Sequence, residues 1–60
     1  MNYEEFKHMD FHTLTRLFHA LNLHFYGDYT HEKAKIIVTD KNTGEMTVIK
    51  FEYDRIVDIF

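Results

Sequence analysis

No cysteine, proline, tryptophan, serine or glutamine occurs in this 60-residue chain, and glycine appears only twice. The missing cysteine excludes a disulfide framework and any thiolate metal site. With serine also absent, threonine and lysine are the common activated nucleophiles left, and neither sits in a motif that would activate it. A chain this short also struggles to enclose the ~300 Å³ that substrate pockets usually need. Enzymatic activity is therefore the least expected class, and no cofactor is expected. No apolar run approaches the ~20 residues of a membrane span. The start, Met1-Asn2-Tyr3-Glu4-Glu5, is acidic where a secretory signal would be basic, so the cytosol is the expected compartment.

The balance of charge is similarly ordinary. Seven basic residues against ten acidic ones give a net charge of −3, with the signs interspersed along the chain. That pattern lacks the basic footprint of a typical nucleic-acid binder. The hydrophobic fraction of 45% is too high for a disordered segment. Residues 1–60 are read as one small domain, which at this size is marginal without help. Residues with AT-rich codons (Phe, Tyr, Met, Ile, Asn, Lys) number 26, against six with GC-rich codons. That skew points to an AT-rich genome, such as a low-GC bacterium or one of its phages.

The strongest periodicity runs from Asp10 to Gly27. Phe11, Leu14, Leu17, Phe18, Leu21 and Phe25 recur at helical spacing. Asp10 suits the N-cap, Met9 and Leu14 the hydrophobic staple, and Gly27 the left-handed residue past the helix end. Upstream, Asn2 and Glu5 resemble a capping box, with Met1 and Phe6 as its staple, which predicts a short helix over residues 3–8. A single straight helix would place Asp10 in the apolar face, so a break or kink is expected near Met9.

Beyond a polar loop the period changes to two. Residues 33–40 and 45–53 read as strands, joined by Lys41-Asn42-Thr43-Gly44. Pairing Asp40 with Glu45 sets Ala34, Ile36 and Val38 beside Phe51, Ile49 and Thr47 on a face that the helix covers. The other face then holds Lys33, Lys35, Ile37 and Thr39 with Glu52, Lys50, Val48 and Met46. In the tail, Ile56, Ile59 and Phe60 fit a helical pattern with Asp54 as cap, which predicts a short helical turn. The expected fold class is α+β: an N-terminal helix, broken near Met9, on a two-stranded antiparallel hairpin with a short C-terminal helical turn.

Five histidines stand out. His8 and His12 are spaced i, i+4, as two ligands of one metal on a helix would be. The segment between them lacks the glutamate of an H-E-x-x-H motif, and no cysteine joins them, so no metal site is expected. His24 falls at the edge of the apolar stripe.

The apolar residues that one helix and one hairpin leave over are more informative. Ile37, Met46, Val48, Ile56, Val57, Ile59 and Phe60 need cover. They are read as an interaction surface, serving a homodimer or an unidentified protein partner. The function expected on this footing is a non-enzymatic protein-binding accessory factor, of the kind a phage or mobile element uses to inhibit a host protein. The alternative is a nucleic-acid-binding module using Lys33, Lys35, Lys41, Lys50 and Arg55 on the hairpin. In the expected register Lys35 faces Lys50, a repulsive pair unless an anion or neighbouring acid relieves it.

Overall fold

Asp10 begins the first long element because its carboxylate accepts the Thr13 backbone N–H at 2.8 Å, satisfying a donor that a helix start leaves open. The computed structural model describes residues 3–60. Ahead of Asp10, Tyr3–Phe6 form a single 3-10 turn, so the break expected near Met9 is present. The capping box from Asn2 and the staple through Met1 lie outside the described residues.

Helix α1 spans Phe11–Ala20 and buries Phe11, Leu14 and Phe18 along one stripe. It is shorter than the periodicity predicted. Asn22, at φ 57°, takes the left-handed position that the sequence pattern assigned to Gly27. The Asn22 N–H donates to the His19 carbonyl and the Leu23 N–H to the Phe18 carbonyl, both at 3.0 Å. That pair of bonds closes the helix end, and Leu23 packs back on the core.

Beyond Leu23 the chain forms a strand, β1 (His24–Asp28), where the sequence predicted more helix. Phe25 and Gly27 face the helix while His24, Tyr26 and Asp28 face away. Leu21 and Phe25 are four apart, a spacing that suits both a helical stripe and an inward strand position, and this hid the change of period. Gly27 serves packing rather than helix termination. A Cβ built there would sit 2.9 Å from Phe11 Cζ, so the bare backbone makes room for the ring.

Strands β2 (Lys33–Thr39) and β3 (Met46–Glu52) pair in the expected register: Ala34 with Phe51, Ile36 with Ile49, Val38 with Thr47. Their connection is organised by Asp40. Its backbone bonds Glu45 and Gly44 at 2.8 Å, and its carboxylate accepts the Asn42 N–H at 2.8 Å. Gly44 supplies the positive φ of 77°.

The tail overturns the expected helical turn. Arg55–Ile59 form a fourth strand, β4, and the sheet is an antiparallel meander ordered β1-β2-β3-β4. The two-stranded hairpin expected from the sequence is thus the middle of a four-stranded sheet. Tyr53 and Asp54, at φ 51° and 63°, make the tight turn into β4. Both being left-handed matches the strand twist, but no glycine advertises it. Lys50 pairs with Asp58 and Phe51 with Ile56, which leaves Val57 as an extra residue in a bulge. The bulge resets the alternation, so Ile56 and Ile59, three apart, face the same side. A three-residue interval is also the mark of a helix, hence the misreading.

The core lies between α1 and one sheet face. Leu14, Phe18, Ile36 and Ile49 are fully buried, with Phe6, Phe11, Ala34, Val38 and Phe51 around them. Phe6 meets Phe18 edge-on at 5.8 Å, and Phe11 meets Phe51 at 5.6 Å. Tyr29, in the β1–β2 loop, closes one end by lying 5.0 Å from the Phe11 ring and 4.8 Å from that of His12. Its hydroxyl donates to Asp54 Oδ2 at 3.4 Å. Loss of hydration and then the Asp54 charge push the Tyr29 phenol up from its ordinary value.

This packing yields two stability tests. Gly27→Ala should cost about 1–3 kcal/mol, because the new methyl meets a ring that its neighbours hold in place. Thermal denaturation would read this as a lower melting temperature, and Phe11→Leu should recover part of the loss in the Gly27→Ala chain. For the cap, the Thr13 backbone bond is the main cause holding the Asp10 carboxyl below its ordinary value of 3.8. Its charged form therefore stabilises the fold fully above 3.8 and loses that effect as pH falls through the depressed value. Asp10→Ala should melt below the parent chain at neutral pH, and the gap should narrow as pH is lowered below 3.8.

Candidate functional site

Because α1 covers only one side of the sheet, the other side displays its alternate residues to solvent. The pairing aligns them in rows across the strands. Tyr26 pairs with Ile37 and Ile37 with Val48. Val48 and Phe60 exchange backbone bonds of 2.6 and 2.8 Å, which extends the row past the end of β4. The result is an apolar row, Tyr26–Ile37–Val48–Phe60, crossing the whole width of the sheet. Tyr26 is 64% exposed and Phe60 59%, while Ile37 and Val48 are half-buried between them. Met46, 61% exposed, continues the apolar surface on one side. Val57, 54% exposed, borders it on the other.

Five of the seven expected interaction residues are on this face: Ile37, Met46, Val48, Val57 and Phe60. Ile56 and Ile59 are not. They pack against the core, so the bulge at Val57 removes them from the surface that the sequence assigned to them. Tyr26 is the residue that sequence reasoning missed, since the helix predicted over it hid its outward position. The available signal was the change from polar His24 to apolar Phe25 just ahead of Gly27; in the strand His24 and Tyr26 are exposed and Phe25 is half-buried.

The basic residues divide differently. Next to the apolar row lies a charged one, in which Asp28 pairs with Lys35, Lys35 with Lys50, and Lys50 with Asp58. The unfavourable Lys35–Lys50 neighbours are therefore bracketed by a carboxylate on each outer strand. Lys50 Nζ also lies 5.2 Å from the centre of the Phe60 ring. Lys33 and Arg55 flank Glu52 in the next row. Lys41 is elsewhere, in the β2–β3 loop at the far end of β2, where its ammonium donates to the Asn22 carbonyl at 3.4 Å. Acidic groups thus border the basic ones in both rows, and with Lys41 remote the five basic groups do not form one patch.

A shallow open depression of about 470 Å³ runs along the charged row, lined by Lys33, Lys35, Lys50, Val57 and Asp58 among others. A second, of about 580 Å³, lies between the end of α1 and the β2–β3 loop, beside Leu21, Asn22, Asp40 and Lys41. Histidines do not converge on either. His8 comes just after the 3-10 turn and His12 lies in the first turn of α1, on opposite sides of the break, so no helix imposes the i, i+4 geometry. Among the described residues no group of three or more potential ligands is placed to hold a metal ion. No helix among them is long and apolar enough to cross a membrane.

No family model, curated protein or solved structure matches this chain.

Proposed function

We propose that this chain is a small non-enzymatic protein-binding factor whose contact surface is the helix-free face of its sheet. The observation that carries this reading is the exposed apolar row Tyr26–Ile37–Val48–Phe60, extended by Met46. A continuous apolar strip on so small a domain is what a protein contact uses, with charged groups at its border. The codon skew bears only on origin, in a low-GC bacterium or its phage; a cytosolic accessory role, with inhibition of a host protein as its form, is proposed because the chain is short, acidic and without a catalytic motif.

The test compares the immobilised chain with its Tyr26→Asp/Met46→Asp variant as bait in a low-GC bacterial lysate. Both side chains are exposed, so the variant should keep the parent's circular dichroism spectrum and melting curve. A stoichiometric partner should be retained by the parent chain and reduced at least about tenfold by the two added charges, which the apolar contact would have to desolvate. Equal capture by both baits would remove this face from the reading.

Nucleic-acid binding has less support, because Asp28 and Asp58 bracket Lys35 and Lys50, and Lys41 is remote from them. Duplex and single-stranded DNA and RNA should give no specific gel shift. A shift that weakens steeply with salt and disappears in Lys35→Glu/Lys50→Glu would reverse that ranking.

A further inference from the structure

The two edges of the sheet differ, and the hydrogen bonds at its turns show which one is open. Across an antiparallel pair, residues that exchange backbone bonds alternate with residues whose N–H and C=O point away. The Thr30 N–H donates to the Lys33 carbonyl at 3.1 Å, so Asp28–Lys35, Tyr26–Ile37 and His24–Thr39 are the bonded pairs of β1 and β2. The Asp40 N–H donates to the Glu45 carbonyl at 2.8 Å and gives the same phase, since it turns the backbone groups of Ile36 and Val38 toward β3. The N–H and C=O groups of Phe25 and Gly27 therefore point outward from β1, and among the described residues nothing bonds to them. The edge at β4 is closed by contrast. A bulge at Val57 interrupts its pairing, and the outward N–H of Ile59 donates to the Asp58 carboxylate at 3.0 Å. β1 has an unbroken register and carries no lysine or arginine, so it lacks the devices that usually blunt an edge.

Resting on the protein-binding reading above, we infer that the outer edge of β1 takes an extended strand from the partner protein, added antiparallel as a fifth strand. Free N–H and C=O groups at this spacing are matched by another extended backbone, which is how strand addition binds. The side chains on both surfaces of β1 fit that occupant. Phe25 faces the helix yet is only half-buried, because β1 has a neighbour on one side alone, and an added strand would complete its cover. Tyr26 heads the apolar row, and a fifth strand would give it a second cross-strand neighbour, so the row continues onto the partner. The strand that β1 already holds indicates the chemistry of the one it lacks. β2 sets Lys35 against Asp28, and Ile36, Ile37, Val38 and Thr39 along the rest. A strand on the far side meets the same β1 side chains on the same two surfaces. The partner's segment is therefore β-branched along its length and basic opposite Asp28.

The probe is a peptide with the β2 sequence, Lys-Ala-Lys-Ile-Ile-Val-Thr, amidated and carrying a fluorophore at its amino end. Amide exchange followed by NMR should find Phe25 and Gly27 unprotected in the free chain, beside protected Tyr26 and Asp28. The peptide should protect both open amides, and its anisotropy should saturate with a Kd below about 1 mM. N-methylation of its first isoleucine or its valine, which oppose Gly27 and Phe25, should abolish binding. N-methylation of its second isoleucine, whose N–H points away from β1, should leave binding unchanged. Loss at all three positions would mean that the peptide replaces β2, and would overturn the inference, as would absence of protection at that concentration. Protection of Phe25 and Gly27 on raising the concentration of the chain alone would make the occupant a second copy and overturn a partner strand. In the lysate, a synthetic chain N-methylated at the Gly27 amide, with the parent's circular dichroism spectrum, should lose the captured partner. If methylation unfolds that chain, the peptide series decides the matter by itself. Capture kept by the methylated chain but lost by Tyr26→Asp/Met46→Asp would end the edge inference and leave the protein-binding reading standing. Equal capture by all three baits would end both.

Discussion

A ten-residue helix is about 15 Å long, and that length governs the rest of the molecule. It spans one face of a four-stranded sheet, and among the described residues no other helix covers the second face. Among the described residues, everything fully buried lies between α1 and the inward residues of the sheet. Phe18 and Leu14 define that contact, and the outer strands are held mainly through their sheet partners.

The ends of the elements are fixed by polar groups in short local bonds. Asp10 starts α1 and Asn22 ends it, while Asp40 organises the β2–β3 turn. These bonds are exposed, and each is modest against competing water. Their value is positional. Asn22 turns the chain out of the helix in time for Phe25 to face inward, and Gly27 then admits the Phe11 ring. A helix extended through Gly27 would lose both contacts and leave β2 without its outer neighbour.

On the open face, apolar and charged residues are separated into rows rather than mixed. The bulge at Val57 contributes to this by turning Asp58 toward Lys50 and Ile59 toward the core. Bulges also disturb an edge strand's regular pairing, which makes unselective strand addition harder. The surface is thus better suited to face-to-face packing than to extension of the sheet at β4. The proposed function rests on that surface rather than on the fold class, since a helix on an antiparallel sheet serves many purposes.

Some of this was legible in the residues themselves. Asp10 as cap, the break near Met9, the stripe Phe11, Leu14, Phe18, and the Asp40–Glu45 register all depend on neighbours close in sequence. Short-range spacing and turn chemistry are enough to state them. The sequence could not separate helix from strand at residues 21–27, because Leu21 and Phe25 fit either period. Nor could it read the tail, where one extra residue gives a strand the spacing of a helix. Tertiary pairing decided both. β1 needed β2 beside it and Phe11 against its glycine; β4 needed β3 and a turn whose left-handed residues, Tyr53 and Asp54, carry no sequence mark. The outer face was half visible for the same reason. Its two central strands could be aligned from a local turn, whereas Tyr26 and Phe60 joined their apolar row only once four strands were in register.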